Sequence, residues 1–162
     1  VNGSTKVTIG DQVIDFAPPW QRVSLREELE KRSGIDLESF DDDALRQKAG
    51  EMGIKVAIAV LDPRGDLIAL ARMAGSLWRS VPISQGTAAA AAAFNAPSGE
   101  LTARWDQPVV RALAMSENGR LIPWQGALPI HRADGTLVGS IGVSGAKSDE
   151  DEAVAAVGIA TL

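Results

Sequence analysis

The chain has no cysteine and only one histidine, His131. The lack of cysteine excludes disulfides, thiol nucleophiles and cysteine-ligated zinc or iron–sulfur sites. A single histidine also excludes metal sites that need two histidines from one chain. No apolar run approaches the roughly 20 residues that cross a bilayer, so we expect no membrane segment. Residues 1–4 lack the pattern of a signal peptide, and the expected location is the cytoplasm.

Positive charge is scarce as well, with 16 Lys and Arg against 21 Asp and Glu in 162 residues. The resulting formal charge of −5 disfavours attraction to nucleic acid backbones, so no nucleic acid partner is expected. At 45% hydrophobic and 23% charged residues, the composition is that of an ordinary globular protein. The length corresponds to one domain, on a prior of roughly 150 residues per domain.

The first part of the chain predicts a hairpin followed by a helix. Gly10-Asp11 separates two short β-forming runs, which favours a hairpin over residues 6–16. Ser24 and Glu27 have the spacing of a capping box, so a helix is expected to begin there. Gly34 is expected to end that helix.

From residue 40 onward, helical periodicity alternates with apolar strands. Acidic residues 41–43 suit the positive end of a helix, and a metal site is the rarer explanation of such a run. The predicted strands cover residues 56–61, 67–72, 120–124, 127–132 and 136–143. The predicted helices cover residues 40–52, 83–94, 98–105 and 108–118, with a last one capped by Ser148. The fold class is therefore α+β, with about five mostly antiparallel strands covered by helices.

Three stretches of this larger part carry recognisable motifs in register. They are Val60-Leu61-Asp62-Pro63-Arg64-Gly65-Asp66-Leu67 running into Ala71-Arg72-Met73-Ala74-Gly75, then Pro82-Ile83-Ser84-Gln85-Gly86-Thr87-Ala88, and finally Gly126-Ala127-Leu128-Pro129-Ile130 with Gly139–Gly145 and Asp151-Glu152. Together they resemble the GlcG/HbpS-like family, also called the haem-degrading or PduO C-terminal domain, over about residues 37–162. The resemblance implies the same helix-covered sheet and assembly into homo-oligomers.

The resemblance also implies a function in binding. It favours a binding or accessory module for a small molecule or tetrapyrrole, with haem or cobalamin as the cofactor, rather than an enzyme. A second hypothesis is a hybrid or structural oligomeric domain that retains no activity. A third is oxidative haem degradation, which would need an iron-bound tetrapyrrole rather than a protein nucleophile.

Residues 5–53 are similar to a different family. Asp15-Phe16-Ala17-Pro18-Pro19-Trp20-Gln21-Arg22 and Ser33-Gly34-Ile35-Asp36 resemble an internal segment of class II lysyl-tRNA synthetases. None of the synthetase motifs that grip ATP is present, so aminoacylation is not expected. The predicted organisation is an N-terminal extension over residues 1–36 and a GlcG/HbpS-like domain over residues 37–162.

Four residues are predicted to line a ligand groove: Arg72, Gly75, Gly126 and Pro129. The Arg72 guanidinium could hold a ligand carboxylate, or it could pair with Asp62 or another acid across the hairpin. The two glycines could let the backbone approach a ligand, or they could serve only tight turns and sheet packing.

Thr87 is a candidate ligand contact that departs from the family pattern. The resemblance implies a lysine at position 87 and a threonine at position 90, where this chain has Thr87 and Ala90. A lysine there could pair with a ligand carboxylate such as a haem propionate. The alternative is that the alanine run Ala88–Ala93 only lets this helix lie close to the sheet.

His131 is the only imidazole and therefore the candidate metal ligand for haem iron or cobalt. The alternative is an exposed histidine beside a turn.

Ser144 is a candidate hydrolase nucleophile by its position between glycines. However, Ala146 occupies the position where the nucleophile elbow needs glycine, so no catalytic residue is assigned. Four tryptophans could stack on a planar ligand or anchor the core. They are Trp20, Trp78, Trp105 and Trp124.

Overall fold

The structure, a computed structural model, describes residues 5–9, 11–15, 17 and 42–160. The chain divides into two compact units, Val1–Leu37 and Glu38–Leu162. The described part of the first unit is a hairpin of β1 (Lys6–Ile9) and β2 (Gln12–Asp15), as the sequence predicts. The helix predicted to start at Ser24 lies outside the described residues.

The second unit contains four strands and five helices among its described residues. The strands are β3 (Ala57–Leu61), β4 (Leu67–Arg72), β5 (Ala127–His131) and β6 (Leu137–Ser144). The helices are α1 (Asp42–Glu51), α2 (Ser80–Phe94), α3 (Ser98–Ala103), α4 (Pro108–Ser116) and α5 (Ser148–Ala160). None of these helices combines the length and apolarity that crossing a membrane requires.

The four strands form one antiparallel sheet in the order β4-β3-β6-β5. β3 is buried at all five positions because it lies inside the sheet with both faces covered. The predicted fifth strand at residues 120–124 is wrong. The Ile122 N–H in this segment donates to the Gly86 carbonyl of α2 (3.0 Å). The segment therefore runs against a helix instead of pairing with a strand.

Helices cover both faces of the sheet. Because side chains alternate along β6, Ser140 and Gly142 face one side and Ile141 faces the other. The Ser140 hydroxyl donates to the Ala88 carbonyl of α2 (2.8 Å), which places α2 on the first face. Ile141 lies beside Gly158 of α5 and is buried, which places α5 on the second face. The core therefore lies in two layers between helices and sheet.

The alanine run of α2 is what lets this helix approach the sheet. Residues 88–92 are all buried, as the structural explanation of the run predicts. A Cβ built at Gly142 would overlap the Ser84 carbonyl oxygen and lie 2.9 Å from the Ala88 nitrogen. Small residues on both sides of this contact therefore set the distance between helix and sheet.

The structure corrects the predicted start of one helix and confirms that of another. The helix α2 begins at Ser80, three residues before the expected start, with Pro82 inside its first turn where the missing N–H costs no helical bond. Ser98 does not cap α3. Its hydroxyl accepts the Ala127 N–H (3.0 Å) and donates to the Ala127 carbonyl (3.3 Å), which ties α3 to the first residue of β5.

Candidate functional site

One end of the four-stranded sheet opens into a cleft of about 350 Å³, here called the sheet-end cleft. It lies where β6 ends and where α2 and α5 begin, because Val143, Ser144, Ser80 and Asp151 all line it. Its volume falls at the lower end of the roughly 300–1,000 Å³ usual for small-molecule sites. Much of its wall is apolar, formed by Leu77, Ile83, Ile122, Val143 and the Trp124 ring.

The wall that carries Trp124 is fixed by two hydrogen bonds to one helix, α5. The Trp124 indole N–H donates to the Ser148 hydroxyl (2.8 Å), and the Gln125 amide donates to Glu152 (3.2 Å). Both acceptors belong to α5. The Trp124 side chain remains 59% exposed. The cleft therefore presents a large aromatic surface whose orientation is set before any ligand binds.

Two buried hydroxyls in the sheet-end cleft lack a protein partner. Ser80 is 1% exposed and Ser144 is 7% exposed, and neither hydroxyl forms a hydrogen bond with any described group. Several buried hydroxyls elsewhere are satisfied: those of Ser98 and Ser140, for example, reach backbone groups. Because Ser80 and Ser144 line the cleft and neither hydroxyl has a described protein partner, both have hydrogen-bonding capacity left for a ligand.

The cleft also contains one cation and one buried carboxyl. Arg79 is exposed at the start of α2 and forms no ion pair within the described part of the chain. Asp151 is 5% exposed, and its Oδ1 accepts the Ala146 N–H (3.0 Å). Burial raises the pKa of Asp151 above its usual 3.8, although the backbone N–H groups of Ala146 and Gly145 partly oppose the shift.

The structure places three of the predicted groove residues at this end of the sheet. Arg72 ends β4 opposite Ala57, and Ala57 in turn pairs with Ser144. Arg72 is exposed and forms no ion pair with any described residue, and Asp62 lies at the far end of the hairpin, so the alternative in which Arg72 pairs with Asp62 is wrong. Gly75 follows in an exposed turn with φ of +84°.

Gly126 is the predicted groove residue nearest the sheet-end cleft. It adopts φ of +135°, directly follows the lining residue Gln125, and its carbonyl accepts the Val143 N–H (2.9 Å). A Cβ built there would lie 2.8 Å from the Val143 oxygen, so both the backbone angle and the space require glycine. Thr87 is fully buried in α2, where its hydroxyl donates to the Ser84 carbonyl (3.2 Å).

Pro129 and His131 lie further along β5, away from the sheet-end cleft. Pro129 pairs with Ser140 in mid-strand, and His131 ends the strand opposite Leu137. His131 is exposed, and its Nε2 lies 2.6 Å from the Asn95 side-chain oxygen just after α2. Ser144 and His131 therefore sit at opposite ends of β6, and the structure does not assemble a serine–histidine pair from them.

The residues that sequence reasoning missed are Arg79, Ser80, Gln125 and Asp151. Ser80 gave no signal because the expected helix began after Pro82. Asp151 belongs to one of the family motifs, but its position in a helical first turn is equally typical of an exposed acid. The four become recognisable as a set only when three distant segments converge on one cleft.

Two further clefts, of about 300 Å³ and 370 Å³, share Arg120 on their walls. The guanidinium of Arg120 already donates to the Gly65 carbonyl (2.6 Å) and to Asp66 (3.2 Å). This cation is therefore engaged in fixing the turn between β3 and β4. The sheet-end cleft, with its unpaired arginine and hydroxyls, is the better candidate for a ligand site.

Comparison with known proteins relates this chain to two groups. The family model of the haem degrading protein HbpS-like type matches residues 43–160. A lysine–tRNA ligase from Thermotoga sp. (strain RQ2) is 33% identical over 70 residues, which cover 41% of this chain. Since these residues span only 14% of the ligase's length, the similarity is restricted to a short segment.

Two solved structures share the fold. The PduOC:heme complex has a TM-score of 0.69 and 25% identity, covering 78% of this chain and 91% of that chain. A double mutant of Streptomyces reticuli HbpS has a TM-score of 0.68 and 26% identity, covering 100% of this chain and 98% of that chain. The resemblance predicted from the sequence motifs is thereby confirmed. The chain belongs to the HbpS-like family of haem-degrading proteins.

Proposed function

We propose that this chain is a binding module that holds a tetrapyrrole of the haem class in the sheet-end cleft. The observation that carries the proposal is the apolar cleft bordered by the fixed indole of Trp124. A planar ring can pack against such a surface. Membership of the HbpS-like family and the fold shared with the PduOC:heme complex support the same ligand class.

The organic part of a haem fits the residues of the cleft. Trp124 and Ile122 offer apolar contact, and Arg79 offers a cation for a propionate. Trp78, between two lining residues in the chain, is 79% exposed, and we propose that the part of a ring that extends beyond the cleft packs against it.

The iron of a haem does not fit the cleft in the same way. None of the described lining residues is a histidine, cysteine, methionine or tyrosine, the side chains that usually ligate haem iron. His131, the predicted metal ligand, lies towards the other end of β5, with its Nε2 beside Asn95. We therefore propose binding through the ring and its carboxylates, with iron contributing little to affinity.

The proposal is tested by titrating the protein with haemin and with iron-free protoporphyrin IX. Both should saturate at one molecule per subunit, with dissociation constants within about threefold of each other, measured by haemin absorbance and by porphyrin fluorescence. Trp124→Ala should weaken both by about tenfold, since an aromatic contact contributes about 0.5–1.5 kcal/mol beyond its buried area. Trp105→Ala, at another exposed tryptophan, is the matched control and should leave affinity unchanged.

The titration also separates the competing hypotheses. A His131→Ala variant that loses haemin but keeps protoporphyrin IX would move the site to His131 and contradict the cleft. Weak, non-saturating changes that ignore every substitution would favour the second hypothesis, a structural domain without retained activity.

A further inference from the structure

We infer that the inner part of the sheet-end cleft is a carboxylate-binding subsite formed by Ser80, Ser144, Arg79 and the N-terminus of α2. The inference rests on the proposed function for its location and extends it by naming the group that is recognised. The ligand class is a carboxylate attached to an apolar body. A propionate of a tetrapyrrole and a free aromatic or aliphatic carboxylate share this chemistry.

The first support comes from the two serines. Both are more than nine-tenths buried, both line the cleft, and neither hydroxyl has a partner among the described groups. The described side-chain oxygen that is fully buried without a partner is the Ser76 Oγ, so the Ser80 and Ser144 hydroxyls are reached from the cleft and can donate to a ligand that accepts hydrogen bonds. A carboxylate accepts from several donors at once.

The second support is the contrast between the two helices that begin at this cleft. The first turn of α5 contains three acidic residues, which offset the positive end of its dipole. The first turn of α2 contains no acid, and its N-cap residue Arg79 makes no side-chain capping bond. The Ser80 N–H donates to the Leu77 carbonyl (3.1 Å) and Pro82 has no N–H, so this helix of 15 residues offers an anion its dipole and not a set of free N–H groups.

Arg79 and Asp151 are the charged side chains that line the cleft, and they act on an anion in opposite directions. Arg79 attracts a carboxylate. Asp151 repels it when ionised, but its Oδ1 is engaged by the Ala146 N–H. Replacing Asp151 by asparagine keeps an oxygen acceptor for that N–H and removes the negative charge. This substitution therefore reports the sign of the charge on the bound ligand.

The experiment compares protoporphyrin IX with its dimethyl ester, and 2-naphthoate with 2-naphthamide, on the full chain. Each acid should bind at least about tenfold tighter than its neutral counterpart, because hydrogen bonds to a charged group are stronger than those to a neutral one. The preference should collapse in the Ser80→Ala/Ser144→Ala double variant and fall in Arg79→Gln. Asp151→Asn should tighten the acids and leave the neutral compounds unchanged.

A matched control separates binding from folding. Ser140→Ala removes a buried hydroxyl that does have a partner, the Ala88 carbonyl, so it should lower the Tm and leave the acid preference intact. The Ser80→Ala/Ser144→Ala variant should show the reverse, with an unchanged or higher Tm, since neither hydroxyl has a described partner.

The outcomes distinguish this inference from the proposed function. If the ester and protoporphyrin IX bind equally well to the cleft, the carboxylate subsite is refuted and tetrapyrrole binding stands. If neither porphyrin binds but 2-naphthoate does, and the serine variant abolishes it, the subsite stands and the tetrapyrrole proposal fails. Weaker binding of the acids to Asp151→Asn would show that the Asp151 carboxyl helps to hold the ligand and would overturn the inference.

Discussion

Asp151 is a carboxyl buried in the first turn of α5, and its cost to stability depends on pH. Burial raises its pKa above 3.8, which means that the folded protein holds the proton more tightly than the unfolded chain does. The ionised form therefore destabilises the fold at neutral pH. This cost disappears as the pH falls through the raised pKa towards the ordinary value.

Asp151→Asn should accordingly be more stable than the wild type at pH 7. The difference in unfolding free energy should shrink as the pH is lowered and vanish below about 3.8, the ordinary pKa of the carboxyl. Urea denaturation at a series of pH values measures it. A variant less stable than the wild type at pH 7 would show that the bond from the Ala146 N–H outweighs the cost of burial.

Asp134 is a control for this measurement because its pKa is shifted in the direction opposite to that of Asp151. Its Oδ1 accepts the Thr136 N–H (2.9 Å), and this bond holds the pKa of the exposed Asp134 carboxyl below 3.8. The ionised form therefore stabilises the turn, and that contribution is lost as the pH falls through the lowered pKa. Asp134→Asn should be less stable than the wild type at pH 7, and the two should converge in acid.

At the scale of single elements, the contact between α2 and β6 depends on the absence of a side chain at Gly142. A methyl group there would overlap the Ser84 carbonyl oxygen, and backbone cannot move aside as a flexible side chain can. Gly142→Ala should therefore destabilise the fold by about 1–3 kcal/mol or more, as overpacked cores do. Gly50→Ala is the matched control. Gly50 lies in α1 with open space around its Cβ position, so alanine should stabilise by about 0.5–1 kcal/mol.

Both free energies of unfolding are measured by denaturant titration of the two variants. A neutral Gly142→Ala together with a stabilising Gly50→Ala would mean that α2 can move away from the sheet at little cost. That result would contradict the explanation of the alanine run as a device for close packing.

Most elements of the second unit were predictable from the sequence because each carries a local signal. The buried strand Ala57–Leu61 is an uninterrupted apolar run, and its turn to β4 has proline and glycine where such turns require them. The segment 120–124 was wrongly predicted as a strand because apolar and polar residues also alternate in an irregular segment that has one buried side. Gly86, in α2, has no side chain and so leaves space for Ile122. This contact joins residues far apart in the chain, so the sequence around Ile122 does not predict it.

The site was less predictable than the fold for the same reason. Gly126 was expected near a ligand from its family motif, and the structure places it next to the lining residue Gln125. The serines at 80 and 144 are ordinary in sequence, and what distinguishes them is a place on the cleft wall without a described partner. A residue pattern predicts which groups a chain has, whereas a site depends on which of them remain unpaired after folding.

Within the chain as a whole, the unit Glu38–Leu162 contains both the HbpS-like match of residues 43–160 and all the described residues that line the sheet-end cleft. We therefore propose that residues 1–36 are an extension that ligand binding does not need. The similarity to lysine–tRNA ligases spans 70 residues, so it is longer than the unit Val1–Leu37 and does not coincide with it.

A chain truncated to residues 38–162 tests this division directly. It should unfold in one cooperative transition and bind protoporphyrin IX with a dissociation constant within about twofold of the full chain, because every described group of the cleft is retained. Calorimetry and porphyrin fluorescence provide the two measurements, with Trp124→Ala in the truncated chain as the control for the site. If the truncated chain folds but loses more than tenfold in affinity, residues 1–37 contribute to the ligand site, and the extension is part of the binding module.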